Sequence, residues 1–265
     1  LTNFQAILGE NRQLPDTFTE NMILRNPSND IMNKLARSVL SSYSWDEGAE
    51  DLSIRNVLRQ SIELIARFPT MVAYGYQAKS HYHDGASLFL HAPDPELSTA
   101  ENLLQMIRIG QDYSPLEAET LDLALVLHAE HGGGNNSAFT VHVVSSAATD
   151  TYSAIGAAVG SLKGAKHGGA NAKVIAMMDD IKAHVSDWSS EKEVGAYLRQ
   201  ILRKETFDQT GLVYGLGHAV YTISDPRAVL LKAKAKELAA EKEYSTEFAL
   251  YELVERIVPA IFQEE

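Results

Sequence analysis

Apolar residues recur along this sequence at intervals of three and four, and convincing strand-like alternation of apolar and polar residues is almost absent. That spacing gathers them on one stripe of an α-helix and denies them a shared face on a strand. "SPLEAETLDLALVLHAEH" (114–131) shows the pattern in full. Ser114 stands at the cap, Pro115 in the first turn and Glu117 at the capping-box position; Leu121, Leu125 and His128 then share a stripe. "SNDIMNKLARSVLSSY" is expected to start from a Ser28 or Asn29 cap, and "SIRNVLRQSIELIARFPTMVAYGYQAKSH" to form a long helix with a kink at Pro69. "LTNFQAILGE", "DTFTENMILR", "AKVIAMMDDIKAHV", "SEKEVGAYLRQILRK", "DPRAVLLKAKAKELAAEKE" and "STEFALYELVERIVPAIF" read as further helices. "NNSAFTVHVVSSAA" and "DTYSAIGAAVGSLKG" are rich in Ala, Gly and Ser, which let helices approach closely, so both are expected to be buried. The expected fold class is all-α. Helices before Gly169 are apolar and small, and those after it are amphipathic and rich in Lys and Glu. This shift places a domain boundary there, giving domains 1–169 and 170–265.

Composition removes several function classes. Thirty-five acidic residues against 23 basic ones give a net charge of −12, which argues against a nucleic-acid or anionic-membrane surface. A local pocket for a small anion is untouched by that sum. The chain has no cysteine, so disulfide and thiolate chemistry are excluded, and a cytoplasmic setting is expected. No apolar run reaches the roughly 18 residues of a membrane span. The first ten residues have neither the basic nor the apolar region of a signal peptide; they read as the middle of a helix, and both ends read as cut.

Chemistry is concentrated in histidines next to glycine. His131 precedes Gly132–Gly134, His167 lies between Gly164 and Gly168–Gly169, and His218 follows "GLG" with Arg227 nine residues on. Glycine lets backbone turn sharply and lets another molecule approach. "HAEH" (128–131) is not the H-E-x-x-H of a zinc helix, so no metal is expected. "GLGHAV" lacks the third glycine of a dinucleotide loop, and "GSLKG" is not a nucleophile elbow. His142 and His184 read as ordinary packed or surface histidines, His81 and His83 as part of a polar loop, and Lys232, Lys234 and Lys236 as a solvated helix face. Three imidazoles framed by glycine at helix ends look like groups presented to one ligand.

Three blocks, "HAEHGGGNNSAFT", "YSAIGAAVGSLKGAKHGGAN" and "GLGHAVYTISDPRA", resemble the citrate synthase family, including its relative 2-methylcitrate synthase, in the family's order and spacing. The resemblance implies an all-α fold of a large and a small domain, and condensation of acetyl-CoA with oxaloacetate followed by thioester hydrolysis. It implies that His167 donates to the enolate oxygen and His218 to the ketone of oxaloacetate, with His131 and Arg227 holding oxaloacetate. Coenzyme A would meet Leu216, Gly217 and Lys163 or Lys166. It implies a homodimer and no permanently bound cofactor, acetyl-CoA being a co-substrate. Two departures matter. No segment matches the family's D-F-Y-S-G-like run, which carries its catalytic aspartate, and Asp208 and Asp225 lie too close to His218 in sequence to replace it. The chain is therefore expected to be a central fragment and, by itself, inactive or nearly so. Thr222 stands where many members carry a basic residue against CoA phosphate. The competing readings are 2-methylcitrate synthase acting on propionyl-CoA, and a non-catalytic binding or scaffold derivative of the fold.

Overall fold

The computed structural model describes residues 2–129, 134–216 and 225–264. Among them every regular element is helical and none is a strand. The helices are α1 (Thr2–Glu10), α2 (Ile31–Ser41), α3 (Ile54–Tyr82), α4 (Thr99–Ile107), α5 (Pro115–His128), α6 (Asn136–Ser145), α7 (Thr151–Lys163), α8 (Ala170–His184), α9 (Glu191–Leu202), α10 (Pro226–Glu241) and α11 (Ser245–Glu264). The "DTFTENMILR" stretch forms a π-helical turn over Thr19–Leu24 instead of an α-helix.

Local chemistry sets the boundaries. Asp30, not Ser28 or Asn29, caps α2: its carboxylate accepts from the Asn33 N–H at 2.7 Å. Ser28 is already used one turn earlier, its hydroxyl accepting from the Asp30 N–H at 3.2 Å. α5 opens on the capping box read from Ser114 and Glu117. α4, which nine residues of periodicity do not announce, opens on an equivalent box at Ser98 and Glu101. α3 continues as one helix through Pro69.

The chain divides into two compact units, Leu1–His167 and Gly168–Glu265. In the first, α2 packs on α3 and α7, α3 on α4, and α6 on α7. Its apolar core gathers Phe18, Ile23, Leu35, Val39, Leu64, Met71, Tyr152 and Val159. Polar groups share that interior. Asp46 accepts two bonds from Arg59 (2.7 and 2.8 Å), one from Gln60 (2.8 Å) and one from the Tyr152 hydroxyl (2.7 Å). Burial pushes this carboxyl up, but the bonds from Gln60, Tyr152 and Arg59 outweigh it and hold it at about 2. Lys34, 1% exposed, donates to the Met22 and Asn26 carbonyls. Its stem passes Gly75 of α3, where an added Cβ would stand 3.2 Å from Lys34 Cγ.

α7 is buried as its small residues imply, through Tyr152, Ala154, Ala158 and Val159. α6 corrects the expectation for its segment: none of its residues is buried, and Phe139 and Val143 are 61% and 51% exposed. One side of α6 packs on α7. Apolar composition marks a helix that can be covered, not whether the covering surface belongs to the same chain.

The second unit is built differently. Met177, Met178 and Ile181 of α8, Val194, Leu198 and Ile201 of α9, and Leu250, Val254, Ile257 and Val258 of α11 form one apolar core. α9 and α10 both pack on α11.

Candidate functional site

His167 ends the first unit, four residues beyond α7. Its backbone N–H closes a turn onto the Gly164 carbonyl at 2.9 Å. The glycines beside it do not use left-handed backbone: Gly164 has φ −57° and Gly169 φ −65°. They contribute small size, not an unusual turn. The His167 side chain is half-buried, and its Nε2 lies 2.9 Å from Ser137 Oγ. Sequence reading assigned Ser137 no role. Thirty residues separate it from His167, and only the packing of α6 on α7 joins them. The segment before it is built for this. Asn135 caps α6 by accepting from the Ala138 N–H at 2.8 Å, and Asn136 donates to Ser161 Oγ of α7 at 2.7 Å. Two of the three sequence blocks thus meet at one imidazole.

Lys163, at the end of α7, pairs with Asp30 at 3.3 Å, both side chains about half exposed. Such a pair is worth little in water and yields readily to a stronger anion. Lys166 is exposed. His131, Gly217, His218 and Thr222 lie outside the described residues.

In the second unit, Asp225 caps α10 by accepting from the Arg227 N–H at 2.9 Å. The same carboxylate takes a fork from the Arg227 guanidinium, Nε to Oδ1 at 3.0 Å and Nη2 to Oδ2 at 2.6 Å. The aspartate of D-P-R therefore both starts the helix and aims the arginine. Leu216 packs against the apolar core beside Val174 and Tyr214. Val174, Tyr214, Gly215, Leu216, Tyr251 and Glu255 line a cleft of about 220 Å³. Neither alternative aspartate is placed to act as a base: Asp225 is committed to Arg227, and Asp208 to Lys173 and Tyr214. Among the described residues, no three His, Asp or Glu side chains converge as a metal site would require, and no helix is long and apolar enough to cross a membrane.

Fold and motifs together define an all-helical protein of two units, with a serine-held histidine at the end of one and an aspartate-aimed arginine in the other. Known proteins resemble this chain in sequence and in fold. Residues 1–265 match the family described as citrate synthase, C-terminal domain. A citrate synthase of Deinococcus radiodurans is 33% identical over 97% of the chain and 63% of its own length. A 2-methylcitrate synthase of Shewanella oneidensis is also 33% identical, over 67% of the chain and 42% of its own length. The crystal structure of a Pyrobaculum aerophilum citrate synthase superimposes with a TM-score of 0.80 at 28% identity, covering 99% of this chain and 63% of that one. The chain belongs to the citrate synthase family, and it spans about 63% of the Deinococcus relative's length.

Proposed function

We propose that this chain carries the substrate-holding part of a citrate synthase, an acyltransferase that joins the acetyl group of acetyl-CoA to oxaloacetate and then hydrolyses the thioester. The observation that supports it most is the Ser137–His167 contact at 2.9 Å, which brings two motif blocks together at one imidazole. An acetyl thioester is a poor carbon acid, so a base must take a methyl proton while a donor stabilises the enolate oxygen. In this reading the Ser137 hydroxyl donates to His167 Nε2, and the ring proton sits on Nδ1, where it bonds the enolate oxygen. His218 donates to the ketone of oxaloacetate. Arg227, aimed by Asp225, and His131 hold its carboxylates. The methyl proton passes to a general base that neither Asp208 nor Asp225 supplies; the enolate carbon then attacks the ketone, and water cleaves the thioester to release citrate and CoA.

Leu216 and Gly217 with Lys163 or Lys166 receive coenzyme A; acetyl-CoA is consumed, and no cofactor stays bound. The boundary near Gly169 separates part of the large domain from the small one. The chain is proposed to act as a homodimer, and the exposed Phe139 and Val143 of α6 offer apolar surface for it. A cytoplasmic location suits a cysteine-free chain.

Calorimetric titration of the chain with oxaloacetate, then with acetyl-CoA, tests the reading. Saturable oxaloacetate binding that Arg227→Gln abolishes is the expected result. Binding that is absent, or indifferent to Arg227, would refute it. Propionyl-CoA, titrated in parallel, separates the citrate from the 2-methylcitrate assignment, since one methyl changes a pocket by only ~1–3 kcal/mol.

A further inference from the structure

The segment between α9 and α10 leads directly into Gly217–His218, and it is tied down more heavily than a surface connection requires. Asp208 Oδ2 accepts from the Tyr214 hydroxyl at 2.7 Å and from Lys173 Nζ at 3.0 Å. Asp208 Oδ1 accepts from the Thr210 hydroxyl at 2.7 Å and from its N–H at 3.2 Å. The Lys173 ammonium also stands 5.7 Å from the centre of the Tyr214 ring. Lys173 sits in the first turn of α8, the helix that begins three residues after His167. Both ends of the tie are thus next to motif blocks, yet neither the motif nor the apolar core explains it. Val213 is already buried and Phe207 already packs against the core, so apolar contacts alone would hold the connection to the unit.

Backbone geometry adds a second constraint. Gly215 takes φ +88°, and a Cβ there would stand 3.2 Å from Val174 Cγ2, one residue beyond Lys173. The chain is therefore pressed onto α8 at Gly215 and pinned to it by charge at Asp208. Burial pushes the Asp208 carboxyl up, but hydrogen bonds from Thr210, Tyr214 and Lys173 outweigh it and keep the group well below the usual carboxylate range. The tie is charged throughout the neutral range.

We propose that Lys173, Asp208 and Tyr214 form a latch that holds residues 209–216 in a single arrangement on α8, and that oxaloacetate binding depends on this latch. These are positioning residues; none of them touches the reacting atoms. Preorganisation is what such a latch supplies, because a segment ordered beforehand loses no affinity to ordering on binding. The functional half of this proposal rests on the citrate synthase reading of His218.

Amide exchange and oxaloacetate calorimetry on the full 265-residue chain test it. Asp208→Asn keeps the volume and removes the charge. It is expected to raise exchange in the 209–216 peptide about ten-fold and to weaken oxaloacetate binding by a similar factor, as loss of charged hydrogen bonds predicts. Exchange in α11 and the Tm should stay as in the wild type. Lys173→Arg should preserve both readouts, and Lys173→Met should copy Asp208→Asn. Tyr214→Phe, which deletes one hydroxyl, carries the same test should Asp208→Asn not fold. Unchanged exchange in 209–216 would overturn the latch. So would faster exchange spread over α8 and α11 with a lowered Tm, the signature of a merely structural tie. If the wild type binds no oxaloacetate, the functional reading falls, and the exchange rates alone decide the latch.

Discussion

The two units solve the same packing problem with opposite materials. In the first, the interior holds Arg12, Lys34, Gln60, Gln77, Asn102 and Asp150 beside its apolar side chains. In the second, the buried side chains among the described residues are apolar apart from the hydroxyl of Tyr197. A buried polar group is costly unless its partners are in place, so a satisfied network permits few alternative arrangements. The first unit thus fixes its geometry from inside, through Asp46 and Lys34. The second has an apolar core, fixed by the fit of its side chains and not by buried charge. Its specific bonds lie at the margin of that core: Lys173–Asp208–Tyr214, and the hydroxyl of the core residue Tyr197 donating to Asp180 at 2.6 Å. A histidine that must keep one orientation against Ser137 sits in the unit with the polar interior. The segment leading to His218 sits in the unit that relies on an external latch.

This difference can be broken by substitution. Asp46→Ala should have the largest effect, leaving Gln60 and the buried Tyr152 hydroxyl without their acceptor. A loss of about 4 kcal/mol is expected from removing one partner of a buried charged network. Exchange protection should fall in the first unit and persist in the second. Leu198→Ala, in the centre of the apolar core, should cost about 3 kcal/mol and unprotect the second unit instead. Loss of protection across the whole chain in either variant would mean that the units are not separately built.

A pH titration sharpens the contrast. Burial, then the nearby Arg37 charge, lowers the Lys34 ammonium to about 8 from 10.5. Below pH 8 the folded and unfolded states both bind this proton, and the cost of burying the charge is present in full. Between pH 8 and 10.5 the unfolded state binds more protons, so stability rises with pH. Denaturant melts of the first unit should gain about 1–2 kcal/mol from pH 8 to 9.5. Lys34→Met should remove that gain, and the second unit, where Lys182 and Tyr197 are shifted upward instead, should show no gain. At the small end, Arg256→Gln breaks an exposed pair with Glu191 at 2.9 Å and should change stability by less than about 0.5 kcal/mol.

Helix type and most helix starts are legible in the sequence, because caps and apolar spacing act within one or two turns. Ser114 and Glu117 announce α5 this way, and Ser98 and Glu101 carry the same signature for α4. The exposure of Phe139 and Val143 is not legible, since composition cannot say where a covering surface comes from. His167 and Arg227 stand out by motif alone. Their partners follow a different logic. Asp225 is found by reading two residues back to a helix cap, whereas Ser137 lies 30 residues before His167 and meets it only through helix packing. The pairing of Lys173 with Asp208 spans 35 residues and has no local signal at all.

The most direct test of the functional account is oxaloacetate-dependent thiol release from acetyl-CoA. It is best run on a chimera in which these 265 residues replace their counterpart in the Deinococcus radiodurans citrate synthase. The account predicts turnover that His167→Ala lowers by about 10²- to 10⁴-fold and Ser137→Ala by less. A folded chimera that releases no thiol, or one whose rate is indifferent to His167, would contradict it.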